Sequence, residues 1–185
     1  MKTIDYYLTP SSPWTYLGHA RFAEIARRHG AQVNVKPVDY GVIFPQSGGL
    51  PLAKRAPQRQ AYRLAELRRW QQHVGVPLVI QPKHFPVDAA PAAHLICAAP
   101  AEKRLALAGD LLAALWQHDR NLADPQVLRE IGARHGASGA DKAAFERFTQ
   151  EALQRGVFGA PSYVLGEEIF WGQDRLDFVD RALAA

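Results

Sequence analysis

The hexapeptide Ser11-Ser12-Pro13-Trp14-Thr15-Tyr16 is the segment of this chain best equipped for chemistry. It lies where a β-like run, Lys2 to Leu8, gives way to a helix-like run, Leu17 to Ala26. A small hydroxyl residue followed by proline is a helix-entry pattern: the hydroxyl caps free N–H groups and proline fits the first helical position. The pattern gathers a hydroxyl and several unpaired backbone N–H donors at the positive end of a helix dipole. Such a point stabilises an anion, and the candidate anion is a thiolate. A free thiol has a pKa near ~8.5 and is mostly protonated at neutral pH, so a site that favours the thiolate creates a nucleophile. Serine can do this without being oxidised itself. Ser12 directly precedes Pro13 and falls at the helix entry, whereas Ser11 belongs to the preceding loop.

Two further groups lie near the far end of the chain. Gly159-Ala160-Pro161 precedes a strand-like run, and Trp171-Gly172-Gln173-Asp174-Arg175 opens a closing helix, where Asp174 also suits the helix dipole. The seven histidines show no metal-ligand spacing, and His19, His29 and His135 are expected at or near helical surfaces, so no metal site is expected. Cys97 is the single cysteine, in the apolar stretch Ala92 to Ala99, and reads as a small buried hydrophobe. With one cysteine, neither an intrachain disulfide nor a redox pair can form, which excludes disulfide oxidoreductase chemistry of the two-cysteine kind.

These groups need elements to position them. Lys2–Leu8, the helix after Pro13 and the alternating run Gln32–Val38 read as a βαβ unit, with a stop at His29-Gly30 and Pro37 at a strand end or sheet edge. Gly41 to Pro57, with three prolines and three glycines, reads as a loop. A helix is expected from Gln58 to Val74, then a proline-punctuated extended stretch from Pro77 to Pro91. Ala92 to Ala152 reads as helical, broken near Pro100, Asn121–Asp124 and Gly136–Gly139, with helix entries at Asp124-Pro125 and Ser138–Asp141. Val157 to Gly172 reads as a loop, a strand, a tight turn at Gly166-Glu167 and a second strand. Gln173 to Ala185 is amphipathic, with Leu176, Val179 and Leu183 on one stripe. Residues 1–40 and 153–185 would form one α/β domain, and residues 41–152 a mainly helical insertion domain.

Composition narrows the partners. The chain has 185 residues, a net charge of +4 and an ordinary apolar fraction of 48%. No apolar run approaches the ~20 residues that span a bilayer, and no signal region opens the chain, so no membrane contact and a cytoplasmic location are expected. Much of the positive excess lies between Lys54 and Arg69, on the face that carries Arg55, Arg59, Arg63 and Arg68. Its sparse aromatic content does not suit nucleic acid. An acidic small molecule or a solvated helix face explains it better.

The order βαβ, helices, ββα with proline at the head of the second half is the thioredoxin-like arrangement. More specifically, the chain resembles the 2-hydroxychromene-2-carboxylate isomerases of the kappa-class glutathione transferase and DsbA-like group. The match is carried by Asp5-Tyr6-Tyr7, Ser12 to Leu17, Tyr62 to Trp70 with Gly75-Val76-Pro77, Lys83 to Pro86, Val157 to Pro161, and Phe170 to Leu176. The resemblance implies a glutathione-binding enzyme. Ser12 would be the catalytic serine beside the glutathione sulfur. Pro161 would be the cis-proline, with Ala160 offering backbone groups to the cysteinyl part. Asp174, with Gln173, would receive the γ-glutamyl end, and Arg59 would face the glycyl carboxylate. Trp14, Tyr62 and Trp171 are the residues expected to line the pocket for a small aromatic carboxylate. The implied reaction converts 2-hydroxychromene-2-carboxylate to trans-o-hydroxybenzylidenepyruvate through reversible thiolate addition, and the implied assembly is a homodimer. Thr9-Pro10-Ser11 and Glu66 depart from the family's usual residues. A kappa-type transferase and a non-enzymatic thioredoxin-fold binding module are the alternatives.

Overall fold

A computed structural model describes all residues from Met1 to Ala185. Its centre is β1 (Thr3–Leu8), whose residues alternate between two buried faces. Ile4, Tyr6 and Leu8 join the larger core cluster, and Tyr7 joins a smaller one on the other side. After β1, α1 (Pro13–Arg28) crosses over to β2 (Gln32–Pro37), which pairs parallel with β1 from Thr3↔Gln32 to Leu8↔Pro37. His29 caps α1, and Gly30 takes a positive φ of 59°, completing the expected stop. Pro37 ends an outer strand, where its missing N–H costs no ladder bond.

The stretch expected to be a loop after Asp39 contains α2 (Tyr40–Ser47). Asp39 caps it through Gly41 N–H at 2.7 Å, and Gly48 closes it in the left-handed conformation. Pro45 lies inside and removes one helical hydrogen bond. Burial outweighs that loss: Tyr40 and Ile43 insert into the smaller core cluster, and Tyr40 Oη donates to the Gly159 carbonyl at 2.7 Å.

Next come α3 (Pro57–Val74), α4 (Ala90–Ala98), α5 (Arg104–Trp116), α6 (Pro125–Arg134) and α7 (Lys142–Gln154), with breaks where the sequence predicts them. Asp124 and Asp141 cap α6 and α7 through Gln126 N–H at 2.8 Å and Ala144 N–H at 2.9 Å. The chain then returns to the sheet as the hairpin β3 (Ser162–Leu165) and β4 (Glu168–Trp171). After a 3₁₀ turn over Gln173–Arg175, α8 (Leu176–Ala184) buries Leu176, Val179 and Leu183.

The sheet order is β2-β1-β3-β4, with β3 antiparallel to both neighbours. Thus β1 and β3 join the two ends of the chain. The Tyr6 and Tyr163 rings lie 5.3 Å apart and within 5° of parallel across that joint, with Phe22 4.6 Å from each. Leu107, Leu111 and Leu115 of α5 belong to the same core cluster, so the helical segment packs into the core of the sheet.

His19 corrects the expectation of a surface position. It is buried, with Nε2 3.0 Å from the Leu105 carbonyl and Nδ1 3.2 Å from Tyr6 Oη. A carbonyl can only accept, so Nε2 carries the proton and Nδ1 accepts from the tyrosine. Burial holds its pKa down to about 4, so the ring is neutral. It lies inside because α5 packs closely on α1, so closely that a Cβ at Gly109 would come within 2.8 Å of Nε2.

Candidate active site

Three segments emerge at one end of the sheet. β1 ends at Leu8, and Ser12 follows within one turn. β3 begins at Ser162, which is paired with Tyr7, so Pro161 lies at the same end. β4 ends at Trp171, also paired with Ser162, so Gly172, Gln173 and Asp174 leave from there.

Ser12 is the N-cap of α1, with φ −83° and ψ 121°. Its Oγ accepts from Thr15 N–H at 3.1 Å, and its own N–H donates to the Thr9 carbonyl at 3.1 Å. The cap uses a lone pair and leaves the hydroxyl proton free to donate, so capping and anion binding are compatible. Ser12 is 8% exposed. Ser11 lies outside the helix, its Oγ 3.2 Å from Thr9 Oγ1. Thr15, whose N–H donates to the cap, has its own hydroxyl buried without a partner.

The Ala160–Pro161 bond is cis. Around it, the Gly159 carbonyl accepts from both Tyr40 Oη and Ser162 Oγ at 2.7 Å, and the Pro161 carbonyl accepts from Gly172 N–H at 2.8 Å. The loop is therefore held from both sides, while no backbone hydrogen bond within the chain engages Ala160. Its N–H and C=O can pair with an extended peptide, as a strand edge does.

Gly172 has φ +100°, a region that side-chain-bearing residues rarely adopt. A Cβ there would also come within 2.4 Å of Asp174 Oδ1. This turn directs Asp174 to a cleft of about 340 Å³ that it shares with Arg21, Trp70, His73 and Asp177. Asp174 Oδ2 pairs with Arg175 Nη1 at 2.8 Å in an exposed, weakly stabilising contact. Gln173 is buried, with Oε1 3.3 Å from Arg21 Nη1, so its side chain braces that guanidinium. The cleft places acids beside an arginine, a combination suited to an ammonium and a carboxylate carried on one carbon.

The structure thus gathers Ser12, Ala160, Pro161, Gln173 and Asp174. Arg59 and Tyr62 are exposed on α3, with the Arg69 guanidinium 5.8 Å from the Tyr62 ring. The other end of α3 supplies Trp70 and His73 to the Asp174 cleft, so Tyr62 and Arg59 stand ~12 and ~17 Å further along the axis. Trp14 is half-buried against the larger core cluster. Trp171 is 51% exposed and packs on Phe158 at 4.9 Å and against Gly159, where a Cβ would meet Nε1 at 2.2 Å. Its neighbour Phe170 faces the cluster that includes α1, so Trp171 points to the opposite side of the sheet. Arg21 and His73 carry no signal in their spacing; only the packing of α1 against α3 reveals them. A separate cavity of about 570 Å³, between β2 and the start of α5, includes none of the expected site residues. Cys97 is buried, and desolvation pushes its thiol up to about 12.

Known proteins resemble this chain in sequence and fold. Residues 3–184 match the DsbA-like thioredoxin domain family. The 2-hydroxychromene-2-carboxylate isomerase of Sphingobium xenophagum is 30% identical, over 98% of each chain. That of Pseudomonas putida is 27% identical, over 97% of this chain and 93% of its own. A solved 2-hydroxychromene-2-carboxylate isomerase superposes with a TM-score of 0.80 at 25% identity, covering 98% of this chain and 94% of that one. The cytosolic disulfide reductase DsbM from Pseudomonas aeruginosa, solved with GSH, shares the fold with a TM-score of 0.68 at 19% identity, over 99% of this chain and 100% of its own. With its serine at the helix entry and its mixed four-stranded sheet, the chain belongs to the DsbA-like thioredoxin family and, within it, to the 2-hydroxychromene-2-carboxylate isomerase group.

Proposed function

We propose that the protein is a glutathione-dependent isomerase that converts 2-hydroxychromene-2-carboxylate, or a close aromatic analogue, to trans-o-hydroxybenzylidenepyruvate. The observation that carries this reading is Ser12. Its hydroxyl caps α1 yet keeps its proton, at the sheet end where Ala160 has unpaired backbone groups. Glutathione would lie extended along Ala160–Pro161. Its γ-glutamyl ammonium would face Asp174, its γ-glutamyl carboxylate would face Arg21, and its sulfur would face Ser12. Relatives named as isomerases and a same-fold protein solved with GSH support this reading.

Ser12 donates to the sulfur, and the helix N-terminus adds its dipole; both favour the thiolate. The hemiketal ring first opens: its C2–O bond breaks, the 2-hydroxyl proton passes to the phenol oxygen, and C2 becomes a ketone conjugated with the C=C bond. The thiolate then adds to that C=C, forming a C–S bond while the C=C electrons move into an enolate. The former double bond can now rotate. Collapse of the enolate restores C=C and expels the thiolate, so glutathione is unchanged and no oxidant is needed. The reading includes a homodimer, as the family resemblance implies, and a cytoplasmic location.

The test is turnover of 2-hydroxychromene-2-carboxylate with and without glutathione. The expected result is isomerisation that depends on glutathione. Equal rates in both arms would remove the cofactor, and no turnover in either would remove the substrate. A stable glutathione adduct in place of the isomer would replace isomerase with transferase.

A further inference from the structure

Arg63 has an environment that no role assigned above explains. Its guanidinium lies 5.2 Å from the centre of the Phe85 ring and 5.9 Å from that of Trp116. It is half-buried and forms no ion pair or hydrogen bond within the chain. Desolvation by burial, with the charge of Arg55 adding to it, brings its pKa down to about 10. Arginine is normally placed in such a site with a carboxylate or phosphate for its planar fork. Trp116 is fully buried, and its Nε1–H also lacks a partner. The Arg63 guanidinium therefore rests on an aromatic stack with no acceptor supplied by the protein.

The surroundings are built rather than incidental. Phe85 lies 4.9 Å from the Trp116 ring. Its loop is held by Asp119, whose Oδ1 accepts from His84 N–H at 3.2 Å and whose backbone takes φ +50°. The stack also borders the segment that carries Ser12. Tyr16, one helical turn beyond Ser12, lies with Oη 3.3 Å from Gln117 Oε1 and 2.5 Å from the Pro77 carbonyl. Gln117 directly follows Trp116, so the start of α1 and the Arg63 stack meet at the end of α5.

We infer that Arg63, with Phe85 and Trp116, forms the site for the carboxylate of an aromatic acid. The guanidinium would take the carboxylate, and the Phe85 face would lie against the ring. This rests on the isomerase reading for the identity of the acid, but the recognition itself requires only the chemistry of the stack. It gives the basic face of α3 a purpose distinct from glutathione binding.

The test uses trans-cinnamate and its uncharged counterpart trans-cinnamamide, titrated calorimetrically without glutathione. The wild-type protein should bind the acid at least tenfold more tightly than the amide. Arg63→Met should abolish that preference, Arg63→Lys should restore part of it, and Lys54→Met, which removes an exposed charge from the preceding segment, should leave it intact. The Tm of Arg63→Met should hold or rise, because a desolvated cation without a partner is lost. Equal binding of acid and amide by the wild type, or a preference retained by Arg63→Met, would overturn the inference. A lowered Tm with both ligands weakened equally would assign Arg63 to structure instead. If the wild type shows the Arg63-dependent preference but does not turn over 2-hydroxychromene-2-carboxylate, the isomerase reading falls and the aromatic-acid site stands.

Discussion

The carbonyl oxygen of Pro161 lies 2.8 Å from the backbone nitrogen of Gly172 and accepts its hydrogen bond. This contact ties the loop proposed to pair with the cysteinyl backbone to the turn proposed to receive the γ-glutamyl end. The two halves of the proposed glutathione site are thus joined by a backbone hydrogen bond, and Ser12 follows the neighbouring strand β1.

Ser12→Ala should lower kcat/KM roughly ten- to hundredfold, because a hydrogen bond to a charged group contributes ~1.5–3 kcal/mol. It should also cost ~1 kcal/mol of stability, since the cap to Thr15 N–H is lost. Glutathione affinity should change less than rate. Ser11→Ala should be nearly silent in both. If Ser11→Ala abolished turnover while Ser12→Ala left it intact, the register of the site would be off by one residue.

Asp174→Asn should weaken glutathione binding by about tenfold, equivalent to ~1.4 kcal/mol, while the rate at saturating glutathione changes little. Calorimetry against glutathione, compared with an analogue lacking the γ-glutamyl amino group, checks this. The variant should affect only the parent tripeptide. An equal loss for both ligands would place the amino group elsewhere.

Gly18→Ala tests the contact between α1 and the Asp174 turn. Exchanging glycine for alanine inside a helix normally gains ~1 kcal/mol. Here the new methyl group would lie 2.6 Å from Gln173 Cβ and 3.2 Å from Tyr163 Oη. Overpacking of that kind costs ~1–3 kcal/mol, so the net change should be destabilising, with weaker glutathione binding as Gln173 shifts. Urea denaturation and glutathione titration give the two readouts. A stabilised variant with unchanged binding would show that the turn yields freely.

His19 makes stability depend on pH. Its pKa is about 4 in the fold, against ~6.5 when unfolded. Above pH 6.5 neither state takes the proton. As pH falls from 6.5 toward 4, only the unfolded chain takes it, so stability declines by about 3 kcal/mol over that window. Urea midpoints at pH 7, 5.5 and 4 should show the decline, and His19→Gln should flatten this component. An equally steep decline in the variant would assign the effect to other groups.

Cys97 should react with a thiol reagent only when the protein is unfolded, because it is buried and its thiolate is disfavoured. Cys97→Ser should keep its glutathione-dependent turnover. Loss of turnover in a folded Cys97→Ser protein would bring this thiol into the mechanism.

What could be read from sequence follows the range of the forces involved. Ser12-Pro13, Asp124-Pro125 and Gly166-Glu167 act locally through caps and turns, and each marks its element within a residue or two. Pro37 at a strand end is local in the same sense. By contrast, α2 contains proline and two glycine neighbours, and it forms because Tyr40 and Ile43 find a core built partly from Val157 and Val164. His19 is polar on a helix, and only α5 packed above it makes it interior. The same distinction applies to the site. Ser12 and Asp174 occupy positions with local signatures, whereas Arg21 and Arg63 acquire their surroundings only when α1, α3 and α5 come together.

The central strand is made well before one of its two partners, since that edge is filled by residues 162–164. A ribosome must therefore add some 150 residues before β1 can close, and until then its open edge can pair with another chain. The proposed anion pocket would be completed in the same step, because Ala160, Pro161 and Asp174 arrive with the closing hairpin and the turn behind it. A nascent or truncated product that stops at α7 would be prone to aggregation and would lack Ala160, Pro161 and Asp174 of the proposed site, so the appearance of any glutathione-binding capacity would report that synthesis had passed the final strands.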